Sequence, residues 1–496
     1  MNVVQQTFLP VEQLRSAATR LRDTDGRMQM AYAWYPEPDR IELRYVATEA
    51  GKQEFATWRC DPAGPVPSLA AIWPLMGWHE REITDLFGIE FSEHPQPQRL
   101  VLHEGANPIC PPFDPKYPAD LPVRPEPTRQ AVPEVVGATA DVQLLPFGPV
   151  RADVLESGEF LFFYIGEAIL HYQPRLFFKH RGMEKRFEGL SATGGVVVAE
   201  RVSGVGSVAH SLAYCQAVEA AARCAVPARA RFLRVLLAEL ERLYNHLYYL
   251  GHLCHTTTLK VGEAQGKLLA ERAKQINGRL TGSRFLRSLL TVGGLRRDLS
   301  PKSWLGAELE ALREEYAVYA RHLENTDSHL DRLITTGVLS QRVAFDQGAT
   351  GPIQRASGFD RDLRRDHPYA AYGELPVPVP VRESGDAHAR AQVRMAEIDA
   401  SIALIQRVLL LLPEGAIATQ CEAPPGSEGL GWCESPRGTL FYAVHFDDGG
   451  HLARVKIKSP SFSNWRVFPF TVHGTNMMDY AINEASFGLT IAGCDR

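Results

Sequence analysis

Apolar and polar positions change rhythm twice along this chain. In residues 1–106 short alternating runs are broken by turns: Arg27–Tyr35 and Arg40–Ala47 flank Pro36-Glu-Pro-Asp39 and predict a hairpin, and Phe55–Cys60 predicts a third strand. Ser68–Phe87 is richer in helix formers, so this first part reads as a small α+β unit. Asn107–Glu134 then carries nine prolines in twenty-eight positions. Proline fixes φ and removes an amide donor, so residues 107–140 predict an extended linker draped over a surface. From 141 to 496 the period is mainly helical, over Val208–Cys224, Ala228–Cys254, Glu263–Leu289, Leu305–Leu333 and Ala387–Leu412. Leu233, Leu236, Leu237, Leu240, Leu243, Leu247 and Leu250 recur at spacings of three and four, which implies a helix bundle. Near the end, Thr439–Phe446 and His451–Lys458 surround Asp447-Asp-Gly-Gly450 and predict a further hairpin.

Composition narrows the function classes. The 496 residues carry 53 Lys+Arg against 58 Asp+Glu, a net charge of −5, so no basic excess drives nucleic-acid binding. No apolar run is long enough to span a membrane, and the N-terminus does not read as a secretory leader. Eight scattered cysteines form no Cys-x-x-Cys pair, so they read as reduced, mostly buried thiols of a cytoplasmic protein. His246, His252, His255 and Cys254 share one helical stretch but do not complete a tetrahedral metal set.

Two charged stretches carry the candidate chemistry. Gly77-Trp-His-Glu-Arg-Glu-Ile-Thr-Asp-Leu-Phe-Gly88 reads by residue type as a solvated helix face with an Arg81–Asp85 pair, or else as a charged interface. Arg355 to His367 packs eight charged or titratable side chains, read either as a solvated surface or as cavity charges that relay protons, with the weight on Arg355 and Asp360.

The first stretch closely resembles the C-type subunit of respiratory complex I, a domain also fused to the large subunit of formate hydrogenlyase-type (group 4, energy-converting) NiFe hydrogenases. Phe178-Lys-His-Arg-Gly-Met-Glu-Lys185 is similar to the His-Arg-Gly-x-Glu-Lys motif of the complex I D-type subunit and of those hydrogenases. Gly293-Gly-Leu-Arg-Arg-Asp-Leu299, Arg355-Ala-Ser-Gly-Phe-Asp360 and the terminal Asp495-Arg496 extend the resemblance to the end of the chain. It implies a C-subunit-like α+β domain over 1–106, the linker, and a mainly helical hydrogenase-large-subunit-like domain with small β elements over 141–496.

In that family four cysteine thiolates hold nickel and iron, because soft metals need charged, polarisable sulfur. The four positions fall here on Ser203, Gly206, Thr490 and Gly493, with Cys494 one place away from a ligand site. The resemblance therefore implies a degenerate cavity with no metal and no cofactor bound by this chain. The complex I quinone residues are also absent: the tyrosine position falls on Gly204, and the two histidine positions fall on Arg151 and Leu155. Arg181 matches an arginine beside the [4Fe–4S] cluster of the adjacent small subunit, with a structural ion pair to Glu184 as the other reading. His210 matches a histidine beside the cavity, with a satisfied core histidine as the other reading.

The expected partners are that small [4Fe–4S] subunit and, through the complex, antiporter-like membrane subunits, at the cytoplasmic face of the membrane. Three functions stay open. One is a redox subunit that has lost hydrogen chemistry and either handles another electron acceptor or donor or couples cluster redox state to ion translocation. Another is a scaffold with no chemistry. The last is a hydrogenase or NADH–quinone oxidoreductase with substituted site residues. A polar cavity around the four replaced positions separates the first from the second.

Overall fold

The computed structural model describes residues 4–103, 110–117, 141–151, 156–301 and 303–496. The predicted linker and Leu155 therefore lie largely or wholly outside the described residues.

The chain begins with strand β1 (Val4–Phe8), helix α1 (Leu14–Asp23) and the hairpin β2 (Arg27–Glu37) and β3 (Arg40–Thr48), followed by β4 (Phe55–Cys60). These form one sheet in the order β1-β4-β3-β2, with β1 parallel to β4 and the other pairs antiparallel. Two short strands, β5 (Val66–Pro67) and β6 (Phe91–Ser92), bracket helix α2 (Met76–Phe87), which packs on β2. Helix α2 starts later than the helix-rich run Ser68–Phe87 and stops at Gly88, whose φ of 75° is the left-handed cap that glycine adopts without strain.

A second antiparallel sheet follows, β7 (Gln143–Phe147), β8 (Glu159–Ile165) and β9 (Ala168–Arg175). Helices α3 (Ala192–Ala199), α4 (Ser207–Ala221), α5 (Ala228–Thr256) and α6 (Lys260–Thr281) come next. The tiny ribbon β10 (Leu290–Thr291) and β11 (Gly294–Leu295) leads to α7 (Ser303–Glu324) and α8 (Asp327–Leu333). The period from Leu305 to Leu333 predicts one helix; it breaks because Thr326 is extended, at φ −102° and ψ 94°. Short helices α9 (Gln341–Asp346), α10 (Pro352–Ala356) and α11 (Leu363–Asp366) precede the long α12 (Ala387–Leu411). The sheet β12 (Glu428–Ser435), β13 (Gly438–Phe446) and β14 (Leu452–Lys458) and the helices α13 (Pro460–Val467), α14 (Tyr480–Phe487) and α15 (Ile491–Asp495) close the chain.

The fold is thus α+β with a mainly helical second part, as the periodicity predicts. One large apolar core lies between α4, α5, α6, α12 and the β12–β14 sheet. A second runs from Leu14, Tyr45 and Trp73 of the first unit through Phe160 to Phe462, Trp465 and Cys494. It therefore joins the first unit to the end of the chain. No helix among the described residues is long and apolar enough to cross a membrane.

Helix α2 is not the solvated face that its residue types predict. Glu80, Glu82 and Asp85 are buried. Asp85 accepts from the amides of Leu100, Val101 and Leu102 at 2.8, 2.7 and 3.1 Å, and Arg81 donates to the carbonyls of Gln98 and Arg99 rather than pairing with Asp85. Glu82 meets Lys456 at 2.7 Å and Arg496 at 2.7 Å, and Glu184 holds Arg454, Lys456 and Arg496 at 2.6, 3.1 and 3.0 Å. This buried cluster ties α2, β14 and the last residue together.

Candidate functional site

The segment holding Ser203 and Gly206 and the segment holding Thr490 and Gly493 meet through Arg181. Its Nη2 donates to the carbonyls of Val202 at 2.6 Å and Ala492 at 3.0 Å, and its Nη1 to that of Arg201 at 3.1 Å. Glu184, the alternative partner, is instead taken by the cluster above. Arg181 is thus a brace between the loop carrying Ser203 and Gly206 and the turn carrying Thr490 and Gly493. Burial lowers its pKa, and its Nε is buried without a hydrogen-bond partner.

On the first loop Ser203 and Gly206 are buried, and Gly206 precedes α4. The buried first-turn amides of α4, which have no partner within the helix, are met by Glu241, which accepts from Val208 at 2.7 Å and Ala209 at 2.9 Å. Burial nevertheless pushes the Glu241 carboxyl up to about 7, against those two amides. A group whose folded pKa lies above its ordinary value stabilises the fold fully below that value and ceases to do so as pH rises through the folded one. Glu241→Gln is therefore expected to gain stability relative to the parent between pH 4 and pH 8, by roughly 3 kcal/mol, in denaturant melts at the two pH values. A gap that is flat with pH contradicts this.

On the second turn Thr490 caps α15. Its Oγ1 accepts from the Gly493 amide at 3.2 Å and lies 3.2 Å from Ser461 Oγ. A Cβ placed on Gly493 would fall 2.5 Å from that Oγ1, so threonine at one position takes the space a side chain at the other would need. Glu156 accepts from the Ala492 amide at 3.1 Å, and Trp465 Nε1 donates to the Thr490 carbonyl at 3.3 Å.

His210 faces the loop from α4. Its Nδ1 lies 2.8 Å from Tyr442 Oη, and its Nε2 lies 3.9 Å from where a Cβ on Gly206 would stand. Burial, with the Arg181 charge second, lowers its pKa to about 3, so the ring is neutral. It is both a hydrogen-bonded core histidine and a neighbour of a replaced position.

The residues do not fit a nickel–iron centre. Two positions offer glycine, one a serine hydroxyl, and the fourth a threonine hydroxyl already engaged as a cap. Cys494 is wholly buried in the second apolar core, and burial pushes its thiol well above the usual range, so it supplies no thiolate there. No cluster of three His, Cys, Asp or Glu suited to a metal ion occurs among the described residues. His246, His252 and His255 diverge: His246 is buried on Glu397 at 2.8 Å, whereas His255 pairs with Glu263 at 3.0 Å on the surface.

At the quinone positions, Gly204 is exposed beside Arg287, and Arg151 pairs with Glu484 at 3.0 Å over the Phe147 and Phe160 rings. Neither offers the phenol or imidazole that would hydrogen-bond a quinone carbonyl.

The stretch from Arg355 to His367 is mostly interior. Arg355 is fully buried and meets Glu397 at 2.6 Å, Glu434 at 3.0 Å and Asp362 at 3.3 Å. Arg364 pairs with Asp362 at 2.7 Å and Glu239 at 3.1 Å, and Glu397 passes on to Arg242 at 3.3 Å. Burial and the neighbouring Asp362 push Glu434 up to about 7, while Arg364 and Arg355 hold Asp362 down at about 2 despite its burial. Asp360 lies apart, exposed at 63% and paired with Arg365 at 2.6 Å. Arg355 therefore belongs to a buried ion network, and Asp360 lines no cavity with it. Sequence reading missed Glu239, Glu241, Arg242 and Glu397, which lie buried on helices α5 and α12; they fall off the leucine stripe, so nothing in the pattern marks them as interior.

Comparison with known proteins matches most of the chain. The model of the respiratory-chain NADH dehydrogenase 49 kDa subunit matches residues 269–425 and 416–496, and that of its 30 kDa subunit matches 8–121. The nickel-dependent hydrogenase model matches 181–281. Formate hydrogenlyase subunit 5 of Escherichia coli (strain K12) is 33% identical over 420 residues, covering 83% of this chain and 74% of that protein. The C/D subunit of the NADH-quinone oxidoreductase of Gluconacetobacter diazotrophicus is 29% identical over 483 residues, covering 87% and 79%. Among solved structures, a chain of the membrane-bound sulfane sulfur reductase, an archaeal respiratory membrane complex, superposes with a TM-score of 0.67 at 26% identity, covering 72% of this chain and 99% of that one.

Proposed function

This chain belongs to the family that joins the 49 kDa and 30 kDa subunits of respiratory NADH dehydrogenase to the large subunits of formate hydrogenlyase-type hydrogenases, and from that premise we propose that it is the large electron-handling subunit of a membrane-associated, complex-I-related oxidoreductase working without a nickel–iron centre. One observation carries the reading. Sulfur is absent at Ser203, Gly206, Thr490 and Gly493, while the Arg181 brace between the two segments is intact.

The surroundings stay polar. Arg181 Nε and Asp495 Oδ1 are buried without partners, a donor and an acceptor that a pure filler would leave orphaned at a cost. A small polar electron acceptor suits such a place; sulfane sulfur, named for the structural relative, is the first to try. The electrons would come from a [4Fe–4S] cluster in an adjacent small subunit, where the Arg181 charge favours the reduced state. Antiporter-like membrane subunits would complete the assembly, with this chain peripheral at the cytoplasmic face and no cofactor of its own.

A scaffold role is the second reading, favoured by the Thr490 hydroxyl filling the space at Gly493. The purified complex, reduced chemically, separates the two. A redox subunit is expected to pass electrons to polysulfide without evolving hydrogen, and Arg181→Ala is expected to lower the midpoint potential of the partner's cluster. Hydrogen evolution refutes the proposal, and an unmoved potential with no acceptor turnover leaves the scaffold.

A further inference from the structure

A cavity of about 470 Å³ opens between the first α+β unit and the helical body, and none of the four replaced positions lines it. Arg27 and the loop 48–53 form one wall; Thr350, Gln354, Arg361 and His367 contribute to the other. Its volume is that of sites that hold small organic ligands.

The charges around it are unevenly satisfied. Four of the five lining carboxylates already hold a basic partner: Glu49 has Lys52, Asp362 has Arg364, Asp366 has Arg365 and Glu434 has Arg355. The fifth, Asp25, is exposed. The cations differ. Arg27 is buried, yet among the described residues its guanidinium hydrogen-bonds only neutral acceptors, the Ala349 carbonyl at 2.7 Å and, with the Gln354 amide oriented to satisfy both its ends, the Gln354 oxygen at 2.6 Å. Arg361 is half-buried against the Phe345 and Phe359 rings, at 5.7 and 5.6 Å; its guanidinium makes no hydrogen bond and no ion pair within 4 Å among the described residues, and only the longer-range charges of Asp366 and Asp25 work against the cost of its burial. Thr350 Oγ1, buried in the same wall, has no partner either. Behind the wall Lys458 is also buried, and among the described residues its ammonium bonds only Thr439, which lines the cavity.

A partly desolvated guanidinium with no carboxylate in contact is costly, and its planar fork matches a carboxylate or a phosphate through two parallel bonds. We propose that this cavity binds a small organic oxyanion, a carboxylate or a phosphate ester, gripped by Arg361 and steadied by Arg27 and the Thr350 hydroxyl. Residues of both units would hold it, so occupancy would fasten the first unit to the helical body.

Calorimetric titration of the full chain in chloride buffer tests this with succinate, glucose 6-phosphate and inorganic phosphate as probes. At least one probe is expected to bind saturably at one site and to raise the melting temperature. Succinate binding alone points to a carboxylate source; binding of either phosphate points to a phosphoryl source; both support the site. Arg361→Gln should weaken binding roughly tenfold or more while leaving the ligand-free melt in place. Arg27→Gln should act in the same direction. No saturable binding up to about 10 mM of any probe, or equal affinity in Arg361→Gln, overturns the proposal.

Discussion

Arg355→Leu is expected to cost roughly 3–5 kcal/mol of folding free energy, a large share of the stability of an ordinary domain. The side chain is fully buried and is shared by Glu397, Glu434 and Asp362. Leucine fills part of the volume but leaves Glu434 and Asp362 facing each other without the cation between them, although Arg364 still holds Asp362. Removing one partner of a buried ionic cluster is costly because the remaining charges cannot return to water. Adding Glu434→Gln should recover roughly 1–2 kcal/mol, because it removes one stranded charge. Denaturant unfolding of the single and double variants checks both numbers. A single variant as stable as the parent, or a double variant worse than the single, contradicts the network.

Arg496→Met comes second, at roughly 2–4 kcal/mol. Its guanidinium reaches Glu82 at 2.7 Å and Glu184 at 3.0 Å, so it joins helix α2 of the first unit to the helical body. Lys456 also touches both carboxylates, at 2.7 and 3.1 Å, which is why the loss should be smaller than at Arg355. Arg496→Lys should recover only part of it, since an ammonium is a point charge whereas the guanidinium fork serves two carboxylates at once. Hydrogen exchange is expected to quicken in α2 and β14 in the Met variant. Full recovery by lysine, or unchanged exchange in α2, contradicts this account.

Where backbone pattern alone decides the element, the sequence is readable. Phe55–Cys60 and the hairpin after Arg27 form as their alternation predicts, and the helix predicted over Ala228–Cys254 forms over Ala228–Thr256. Helix α6 begins three residues before its predicted start, and it ends earlier than its period suggests because Gly282 takes φ 70° and stops it. Strand β12 escapes the reading because Gly429 and Gly431 make it look like a loop. Those glycines are there for packing: a Cβ on either would fall about 2 Å from the Ala217 or Ala213 carbonyl of α4.

The site is legible in a different way. Motif spacing names the four positions Ser203, Gly206, Thr490 and Gly493 only through the family resemblance, and charge density misleads about burial. Glu80, Glu82, Arg355, Asp362 and Arg364 look like surface by residue type and are interior in fact. A single chain does not reveal which distant residue neutralises a charge, and that partner decides whether the charge can be buried. The same limit hides the Arg181 brace, whose acceptors are backbone carbonyls at Arg201, Val202 and Ala492.

The proposed electron path depends on hydroxyl groups and glycines standing where soft metals would need sulfur. Nickel in the purified intact complex, quantified by mass spectrometry against protein and paired with paramagnetic resonance of the partner's cluster, tests that most directly. The account predicts a cluster resonance with nickel at background; one nickel per chain in a hydrogen-evolving preparation would contradict it.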